Sequence, residues 1–424
     1  MRKLIIGILL TIIITAFVTL LVMNFLTGEK KIQERIEPLY AIADPQFRRS
    51  MGVLLGPSIQ DGNRVEPLHN GDEIFPAMLR DIRSARKTIT FETYIYWSGR
   101  IGREFADALS ERARAGVRVH VLLDWVGSGK MDAAILTEME TAGVQVRKYH
   151  PLRWYHVARM NNRTHRKLLV VDGRVGFTGG VGIADEWSGH AQDERHWRDE
   201  HFRLEGPAVG EMQAAFMDNW LKTEGEVLHG DDYFPPLAAS GAALAQVFVS
   251  SAGGGGESAR LMYLLSIASA RQSVRIAASY FVPDDLSVET LVAARRRGVA
   301  IELILPGDKI DSSVVRKASR ARWGDLLRAG VEIYEYQPTM YHCKIMIVDD
   351  LWVSVGSTNF DNRSFRLNAE ANLNVFDGEL ARSQTAVFEA DKQKSRRVTL
   401  EEWEHRPWRE KLTEHVAALL RSQL

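Results

Sequence analysis

Two copies of one short pattern constrain this chain more than any other feature of its sequence. Each copy has a histidine, one spacer, a lysine, four apolar residues and an aspartate, and a turn of small residues follows at the same distance in both. The residues of the pattern are His165, Lys167 and Asp172 in the first copy, and His342, Lys344 and Asp349 in the second. One copy alone is a weak signal, but the repetition indicates a duplicated structural unit.

The apolar residues at 168–171 and 345–348 predict two short buried strands, each ending at a turn. Side chains alternate along a strand, so the histidine and the lysine of each copy share one face. The aspartates have the opposite parity and lie at the turn. We therefore interpret Asp172 and Asp349 as residues that fix the hairpin after each strand, and not as an acid or a base.

Two such strands side by side bring two imidazoles and two ammonium groups together, which suits an anion and best a phosphodiester. One histidine can attack phosphorus while the other protonates the leaving oxygen. The lysines, with hydroxyl and amide groups of the turns at Gly180, Ser357 and Asn359, are predicted to bind the substrate and stabilise charge on its non-bridging oxygens. This chemistry requires no metal and no other cofactor.

The sequence around both copies resembles the phospholipase D superfamily, whose signature is a duplicated motif of histidine, lysine and aspartate, and more narrowly the bacterial cardiolipin synthases. The resemblance extends from about Glu66 to Phe388, and the first turn has Gly182 where the family has an asparagine. The stretches that carry it are FETYIYWSGRIG (Phe91 to Gly102), HRKLLVVDGRVGFTGGVGIADEW (His165 to Trp187) and YHCKIMIVDDLWVSVGSTNFDNRSFRLNAEANL (Tyr341 to Leu373).

The resemblance implies that all six residues of the two copies form the catalytic set, with His165 as the nucleophile and His342 as the general acid. It implies a phosphatidyltransferase of the cardiolipin synthase type, which passes a phosphatidyl group from one phosphatidylglycerol to a second through a phosphohistidine and releases glycerol. Two alternatives stay open: a phospholipase D that hydrolyses phospholipids, and a membrane-anchored phosphodiesterase or nuclease. The acceptor alcohol, the oligomeric state and the membrane face that carries the site stay open as well, and from chemistry alone either histidine could be the nucleophile.

The balance of charges argues against nucleic acid as a partner. The chain has 54 basic and 54 acidic residues and a formal net charge of +0, whereas a nonspecific nucleic-acid binder usually carries a positive excess. The single cysteine, Cys343, excludes an intrachain disulfide and a cysteine-rich metal site. The partners that the resemblance implies are phospholipids, chiefly phosphatidylglycerol, and a membrane.

Alternating strand and helix patterns predict an α/β fold with mixed sheets flanked by helices. With the internal repeat, the resemblance implies two pseudo-symmetric phospholipase D-type lobes of this kind. The apolar run from Leu4 to Leu26 predicts a transmembrane helix, because about 1.5 Å per residue spans the roughly 30 Å core of a bilayer. We expect a single-pass anchor in the bacterial inner membrane. The predicted segments are a transmembrane signal anchor (1–27), a connector (28–62), a first lobe (63–228), a linker (229–247), a second lobe (248–390) and a C-terminal amphipathic segment (391–424).

Two acids outside the repeated pattern are candidates for orienting the histidines. A nucleophilic imidazole works best when a carboxylate holds its far nitrogen. Asp199 and Glu370 precede similar strand ends and are predicted to serve His165 and His342, respectively, with a solvated position as the alternative.

Aromatic residues are candidates for the membrane surface. Trp154 and Trp323 each lie in a cluster of aromatic and basic residues, a composition that suits a lipid headgroup interface. The C-terminal segment has amphipathic spacing and is predicted to pack against the body of the protein. Its apolar residues are Trp403, Trp408, Leu412, Val416, Leu419 and Leu420.

Overall fold

The computed structural model describes residues 2–26, 32, 34–37, 40–151, 161–251 and 257–424. The first helix, α1 (Arg2–Leu26), carries a stretch from Lys3 to Val22 with a mean hydropathy of 2.9 and no buried residues. By length and composition, α1 is the one described helix able to cross a membrane. The predicted apolar helix is therefore present.

The first lobe begins with an amphipathic helix and then alternates strands with helices. A single turn of 3-10 helix at Asp185–Trp187 follows the second strand of its hairpin. The elements are α2 (Pro45–Leu55), β1 (Gln60–His69), α3 (Asn70–Ser84), β2 (Thr88–Thr93), α4 (Arg100–Arg114), β3 (Arg118–Asp124), α5 (Ala133–Thr141), β4 (Gln145–Tyr149), β5 (Leu168–Val171), β6 (Val175–Gly179), β7 (Glu200–Glu205) and α6 (Val209–Glu224).

The second lobe repeats this plan with three additional short strands, at 281–282, 360–361 and 395–398, and a helical C-terminal segment. Its elements are β8 (Ala243–Ser250), α7 (Ser258–Ser269), β9 (Ser273–Ala278), β10 (Phe281–Val282), α8 (Asp285–Arg296), β11 (Ala300–Pro306), α9 (Ser313–Arg320), α10 (Trp323–Arg328), β12 (Glu332–Tyr336), β13 (Lys344–Val348), β14 (Trp352–Gly356), β15 (Phe360–Asp361), α11 (Asn362–Arg366), β16 (Glu370–Phe376), α12 (Gly378–Gln393), β17 (Ser395–Val398), α13 (Leu400–His405) and α14 (Trp408–Ala418).

The two lobes share one 15-stranded sheet, which confirms the predicted pair of mixed, helix-flanked halves. Three parallel strands in each lobe, β2, β3, β4 and β9, β11, β12, continue into an antiparallel set. The lobes join where β1 pairs antiparallel with β8. The strand order is β17-β12-β11-β9-β13-β14-β16-β8-β1-β7-β6-β5-β2-β3-β4, so each half mirrors the order of the other around the junction.

The strands that follow the two lysines are buried on both faces. In β5, Leu168 and Val170 pack into a central cluster shared with β13, whereas Leu169 and Val171 pack into the core of the first lobe. Strand β13 divides its residues between the central cluster and the second-lobe core in the same way. This double burial explains why both strands are continuous apolar runs.

The structure corrects two predictions about where aromatic and apolar side chains lie. Trp323 is 1% exposed and packs in the second-lobe core, so it cannot face a membrane. Trp154 lies outside the described residues. In the C-terminal segment, Trp403 packs against the core as predicted. The other apolar side chains of that segment, predicted to be packed, are exposed: Trp408, Leu412, Val416, Leu419 and Leu420.

Candidate active site

The two histidines lie where strands from both lobes meet. The backbone N–H of His165 donates to the carbonyl of Ala369 in the second lobe at 2.8 Å. The backbone N–H of His342 donates to the carbonyl of Arg198 in the first lobe at 2.7 Å. Each pairing is an isolated parallel bridge just before a strand of the sheet. The segment before each histidine is therefore held by the opposite lobe.

In this arrangement each histidine is bonded to the acid of the opposite lobe, which is the reverse of the predicted pairing. Nδ1 of His165 bonds to both carboxylate oxygens of Glu370, at 3.0 and 3.1 Å. Nδ1 of His342 bonds to Oδ2 of Asp199 at 2.7 Å. The prediction that each acid serves the histidine of its own lobe is wrong, because the bridges place the start of β16 beside His165 and the start of β7 beside His342.

Glu370 is held by three side chains in addition to His165. Ser364 Oγ donates to Oε1 at 2.8 Å, Asn368 Nδ2 donates to Oε1 at 3.2 Å, and Ser357 Oγ donates to Oε2. Glu370 is completely buried. Its carboxylate thus has a fixed orientation, and so does the imidazole that it holds.

Asp199 has a smaller set of partners. The Trp187 indole N–H donates to Oδ2 at 2.8 Å, and the Glu200 backbone N–H donates to Oδ1 at 2.8 Å. Trp187 also lies against the His342 ring, with centroids 5.2 Å apart. One oxygen of Asp199 therefore serves both the indole and the imidazole.

The turn residues predicted to bind the substrate divide into two groups. Ser357 is fully buried with its hydroxyl on Glu370, and a side chain at Gly180 would lie within 2.2 Å of Asp199 Oδ1. Both residues support the acids and do not line the cavity between the histidines, so their predicted role is corrected. Asn359 lines that cavity, as a substrate-contacting residue must.

The two lysines have different surroundings. Lys344 Nζ donates to Ser279 Oγ at 2.7 Å, and Ser279 Oγ donates to Asn359 Oδ1 at 2.7 Å. Lys167 Nζ donates to the His165 carbonyl at 2.8 Å and lies 5.8 Å from the centre of the Tyr94 ring.

Sequence positions explain this asymmetry. Tyr94 follows β2 directly, as Ser279 follows β9. Gly182 replaces the family's asparagine in the first turn, and a Cβ there would lie 2.7 Å from Ile95 Cβ. The first lobe therefore has neither the hydroxyl nor the amide that surround Lys344.

Burial sets the protonation states of the four groups. It lowers the pKa of His165 to about 4 and that of His342 well below its usual range, with Lys344 as the next cause for His342. Burial and the Lys344 ammonium lower the pKa of Lys167 to about 7. Burial also lowers the pKa of Lys344. Burial thus favours the neutral form of both imidazoles before an anionic substrate binds.

The acids respond to burial differently. Burial raises the pKa of Asp199 to about 6, although Lys344 opposes the shift. Burial acts in the same direction on Glu370, but His165 and Lys167 outweigh it, so the pKa of Glu370 lies below its usual range.

Asp172 and Asp349 lie at the far ends of β5 and β13, away from the histidines. The Asp172 carboxylate accepts the backbone N–H groups of residues 86–88 before β2, and the Asp349 carboxylate accepts those of residues 271–273 before β9. Both aspartates have left-handed backbone angles, with φ of 52° and 53°. In this position the two aspartates stabilise the hairpins. The implied assignment of both to the catalytic set is therefore corrected.

Comparisons with known proteins identify the family. A family model described as cardiolipin synthase, PLD-like domain, matches residues 78–214 and 263–392, one match in each lobe. The chain belongs to this family. The resemblance inferred from the sequence is thereby confirmed.

Curated members of the family cover most of the chain. The probable cardiolipin synthase YwiE of Bacillus subtilis (strain 168) is 36% identical over 344 residues, which are 81% of this chain and 68% of that protein. Cardiolipin synthase 2 of Bacillus anthracis is 34% identical over 403 residues, 93% of this chain and 77% of that protein.

A solved structure shares the fold. The phosphatidylserine synthase of Haemophilus influenzae Rd KW20 superposes with a TM-score of 0.65 at 14% identity, over 89% of this chain and 100% of that one.

The site of this family member includes residues that the sequence reasoning missed. A cavity of about 270 Å³ contains both histidines and Lys167. Several of the missed residues lie inside the stretches that carry the family resemblance, and this was the signal available for them. The missed lining residues are Tyr94, Ile95, Trp97, Arg163, Trp187, Trp197, Tyr280, Asp311, Arg363 and Asn368.

One group of three potential metal ligands occurs among the described residues, namely Glu200, Cys343 and Asp391. The Arg198 guanidinium lies among them and donates to Glu200 Oε1 at 2.6 Å and to Asp391 Oδ2 at 3.0 Å. The arginine forms ion pairs with both carboxylates, and the Cys343 side chain is fully buried. The group is therefore an ion-pair network behind the site.

Proposed function

We propose that this protein is a phosphatidyltransferase of the cardiolipin synthase type, which joins two phosphatidylglycerol molecules and releases glycerol. The observation that carries the proposal is the pair of histidines in one cavity, each with Nδ1 bonded to a buried acid from the opposite lobe. With Nδ1 engaged, Nε2 is the nitrogen available to each imidazole for chemistry at phosphorus. Membership of the cardiolipin synthase family supports the choice of substrate.

We assign His165 as the nucleophile. Its neutral imidazole donates Nδ1–H to an ionised Glu370, which leaves the Nε2 lone pair free to attack. The leaving glycerol oxygen then takes a proton from the other histidine, and a phosphatidyl-histidine remains. The hydroxyl of the second phosphatidylglycerol attacks that intermediate, a P–O bond replaces the P–N bond, and its proton returns to the second histidine.

We assign His342 as the general acid. Burial raises the pKa of Asp199 to about 6, whereas the pKa of Glu370 lies below its usual range, so the His342–Asp199 pair takes up an additional proton more readily than the His165–Glu370 pair. The negative charge of a bound phosphodiester further favours that proton on His342. The Lys167 and Lys344 ammonium groups, with Asn359, stabilise charge on the phosphoryl oxygens in both steps.

The cavity lining favours a lipid over a nucleic acid. Aromatic side chains surround the histidines: Tyr94, Trp97, Trp187, Trp197 and Tyr280. These rings give the site an apolar wall, whereas a nucleic-acid site requires a continuous basic groove. We place the enzyme in the bacterial inner membrane, anchored by α1, whose exposed apolar surface suits the bilayer.

The products formed on vesicles test the proposal against hydrolysis. Water is present at about 55 M in bulk, so a synthase must hold the lipid alcohol against the intermediate and exclude water. Purified full-length protein should convert labelled phosphatidylglycerol in vesicles mainly to cardiolipin and glycerol. Phosphatidic acid as the dominant product at every lipid density would assign hydrolysis instead, and cleavage of single-stranded DNA without lipid turnover would assign the nuclease alternative.

A further inference from the structure

Arg163 differs from every other buried arginine of the described chain. Five arginines have buried side chains, and four of them form ion pairs with carboxylates within 4.0 Å. The paired ones are Arg166 with Asp218, Arg198 with Glu200 and Asp391, Arg260 with Glu257 and Asp284, and Arg406 with Glu414. Arg163 has no such partner among the described residues. Burying a cation without a counter-charge is energetically unfavourable. An anion bound beside Arg163 would supply the negative charge that the fold does not provide.

The contacts of the Arg163 guanidinium are with neutral groups. Nη1 donates to the Asn162 carbonyl at 3.2 Å, and the group lies 5.1 Å from the centre of the Trp125 ring. The acid that most affects Arg163 is Asp124, but the Asp124 oxygens already accept three backbone N–H groups, at 2.9, 3.0 and 3.1 Å. The guanidinium lines the cavity that contains the histidines.

A second arginine is held beside the first. Arg363 Nη2 donates to the carbonyl and side-chain oxygens of Asn161, at 3.3 and 3.1 Å, and Nη1 donates to the Gln423 carbonyl at 3.0 Å. Asn161 is two residues before Arg163, so Arg363 is bonded to the segment that carries Arg163, and both arginines line the cavity. After burial, the positive charge of Arg363 is a further cause of the lowered pKa of Arg163.

Among the described residues, no carboxylate that lines the cavity forms an ion pair with either guanidinium. Asp311 is the one acid that lines the cavity, and both of its oxygens accept the Tyr280 hydroxyl, at 2.8 and 2.9 Å. Arg363, like Arg163, forms no ion pair with a described acid. Two arginines that line the cavity with neutral partners, in addition to the histidines and lysines, can offer charge-assisted donors to an anion.

We propose that Arg163 and Arg363 bind the phosphodiester of the acceptor phosphatidylglycerol. The inference rests on the proposed function, which requires two anionic phosphates at the site in the second step. One is the phosphorus on the nucleophilic histidine, held by the lysines. The other is three glycerol carbons from the attacking hydroxyl, and the arginines fix it so that the hydroxyl oxygen forms the new P–O bond as the P–N bond breaks.

A comparison of two acceptors in the same vesicles tests this inference. Phosphatidylglycerol vesicles with added labelled glycerol give cardiolipin when the acceptor is anionic and labelled phosphatidylglycerol when it is glycerol. Both products share the donor step, so their ratio reports acceptor binding alone. Arg163→Gln and Arg363→Gln should lower the ratio of cardiolipin to labelled phosphatidylglycerol at least about tenfold, the loss expected for one charge-assisted hydrogen bond.

Two further variants complete the test. Arg363→Lys keeps the charge without the fork and should give an intermediate ratio, whereas Arg174→Gln, at an exposed site outside the cavity, should leave the ratio at the wild-type value. An unchanged ratio in Arg163→Gln and Arg363→Gln would overturn the inference. Equal loss of both products at an unchanged melting temperature would also overturn it, because the arginines would then act in the donor step. Failure of the proposed function is distinct: the wild-type protein itself would then form phosphatidic acid instead of cardiolipin.

Discussion

The crossed pairing of acids and histidines predicts which variants share a phenotype. Glu370→Gln replaces a carboxylate that accepts from His165 Nδ1 at 3.0 and 3.1 Å. Loss of a hydrogen bond to a charged group costs about 1.5–3 kcal/mol, or roughly 10- to 150-fold in rate. The new amide can also donate to Nδ1 and move the imidazole proton to Nε2, an effect of about 10⁴-fold in a comparable triad. We expect phosphoenzyme formation to slow by about 10²- to 10⁴-fold.

The assay is a pre-steady-state burst with a phosphatidyl ester of p-nitrophenol, whose departure needs no general acid. Under our assignment, Glu370→Gln should lose the burst as His165→Ala does. Asp199→Asn should keep the burst and be slow in turnover, as His342→Ala should be. Glu211→Gln is a matched control, because Glu211 is an acid whose pKa burial raises to about 7 and whose partners, Gln60 and the Val247 N–H, lie outside the site.

The grouping of the four variants decides the outcome. If His342 is the nucleophile, Asp199→Asn and His342→Ala lose the burst together, and the roles exchange while the crossed pairing stands. A burst lost in Glu370→Gln and His342→Ala, but kept in Asp199→Asn and His165→Ala, would refute the reasoning, since it would link each acid to the histidine of its own lobe.

Four further predictions follow from the site and the fold. Lys167→Met should abolish transfer yet stabilise the protein by roughly 1 to 4 kcal/mol, because a buried cation is removed. The pKa of Lys167 is about 7 in the folded protein and near its ordinary 10.5 in the unfolded chain. Between these values the unfolded chain binds more protons, so the stability of the wild-type protein should rise with pH. Calorimetry should show no such rise in the variant. Asp172→Ala should lower the free energy of unfolding in urea by about 2 to 4 kcal/mol, because its hydrogen bonds from backbone N–H groups are lost, and the burst per folded molecule should not change. The exposed control Asp231→Ala should change neither quantity. Transfer should survive EDTA, and loss with rescue by Mg²⁺ or Zn²⁺ would contradict the site described. Deletion of residues 1–30 should slow transfer on vesicles more than on detergent-dispersed lipid, and equal slowing would argue against α1 as the membrane tether.

The local sequence determined the parts of the site that depend on short-range geometry. The spacing of His165 and Lys167, and of His342 and Lys344, follows from strand parity. The apolar runs that became β5 and β13 are continuous because both faces are buried. The aspartates after these strands accept nearby backbone N–H groups, as expected for a turn. Alternating strands and helices also sufficed for the two-lobed α/β class.

Tertiary structure decided which residues of distant segments meet. Glu370 reaches His165 across 205 positions and Asp199 reaches His342 across 143, because the bridges between lobes cross the site, and no periodicity encodes that choice. The burial of Trp323 could not be predicted from the sequence either, because its aromatic and basic neighbours are compatible with both a surface and a core. The missing acid beside Arg163 is also a property of packing. A sequence shows which charges are present, whereas only the fold shows which of them remain unpaired.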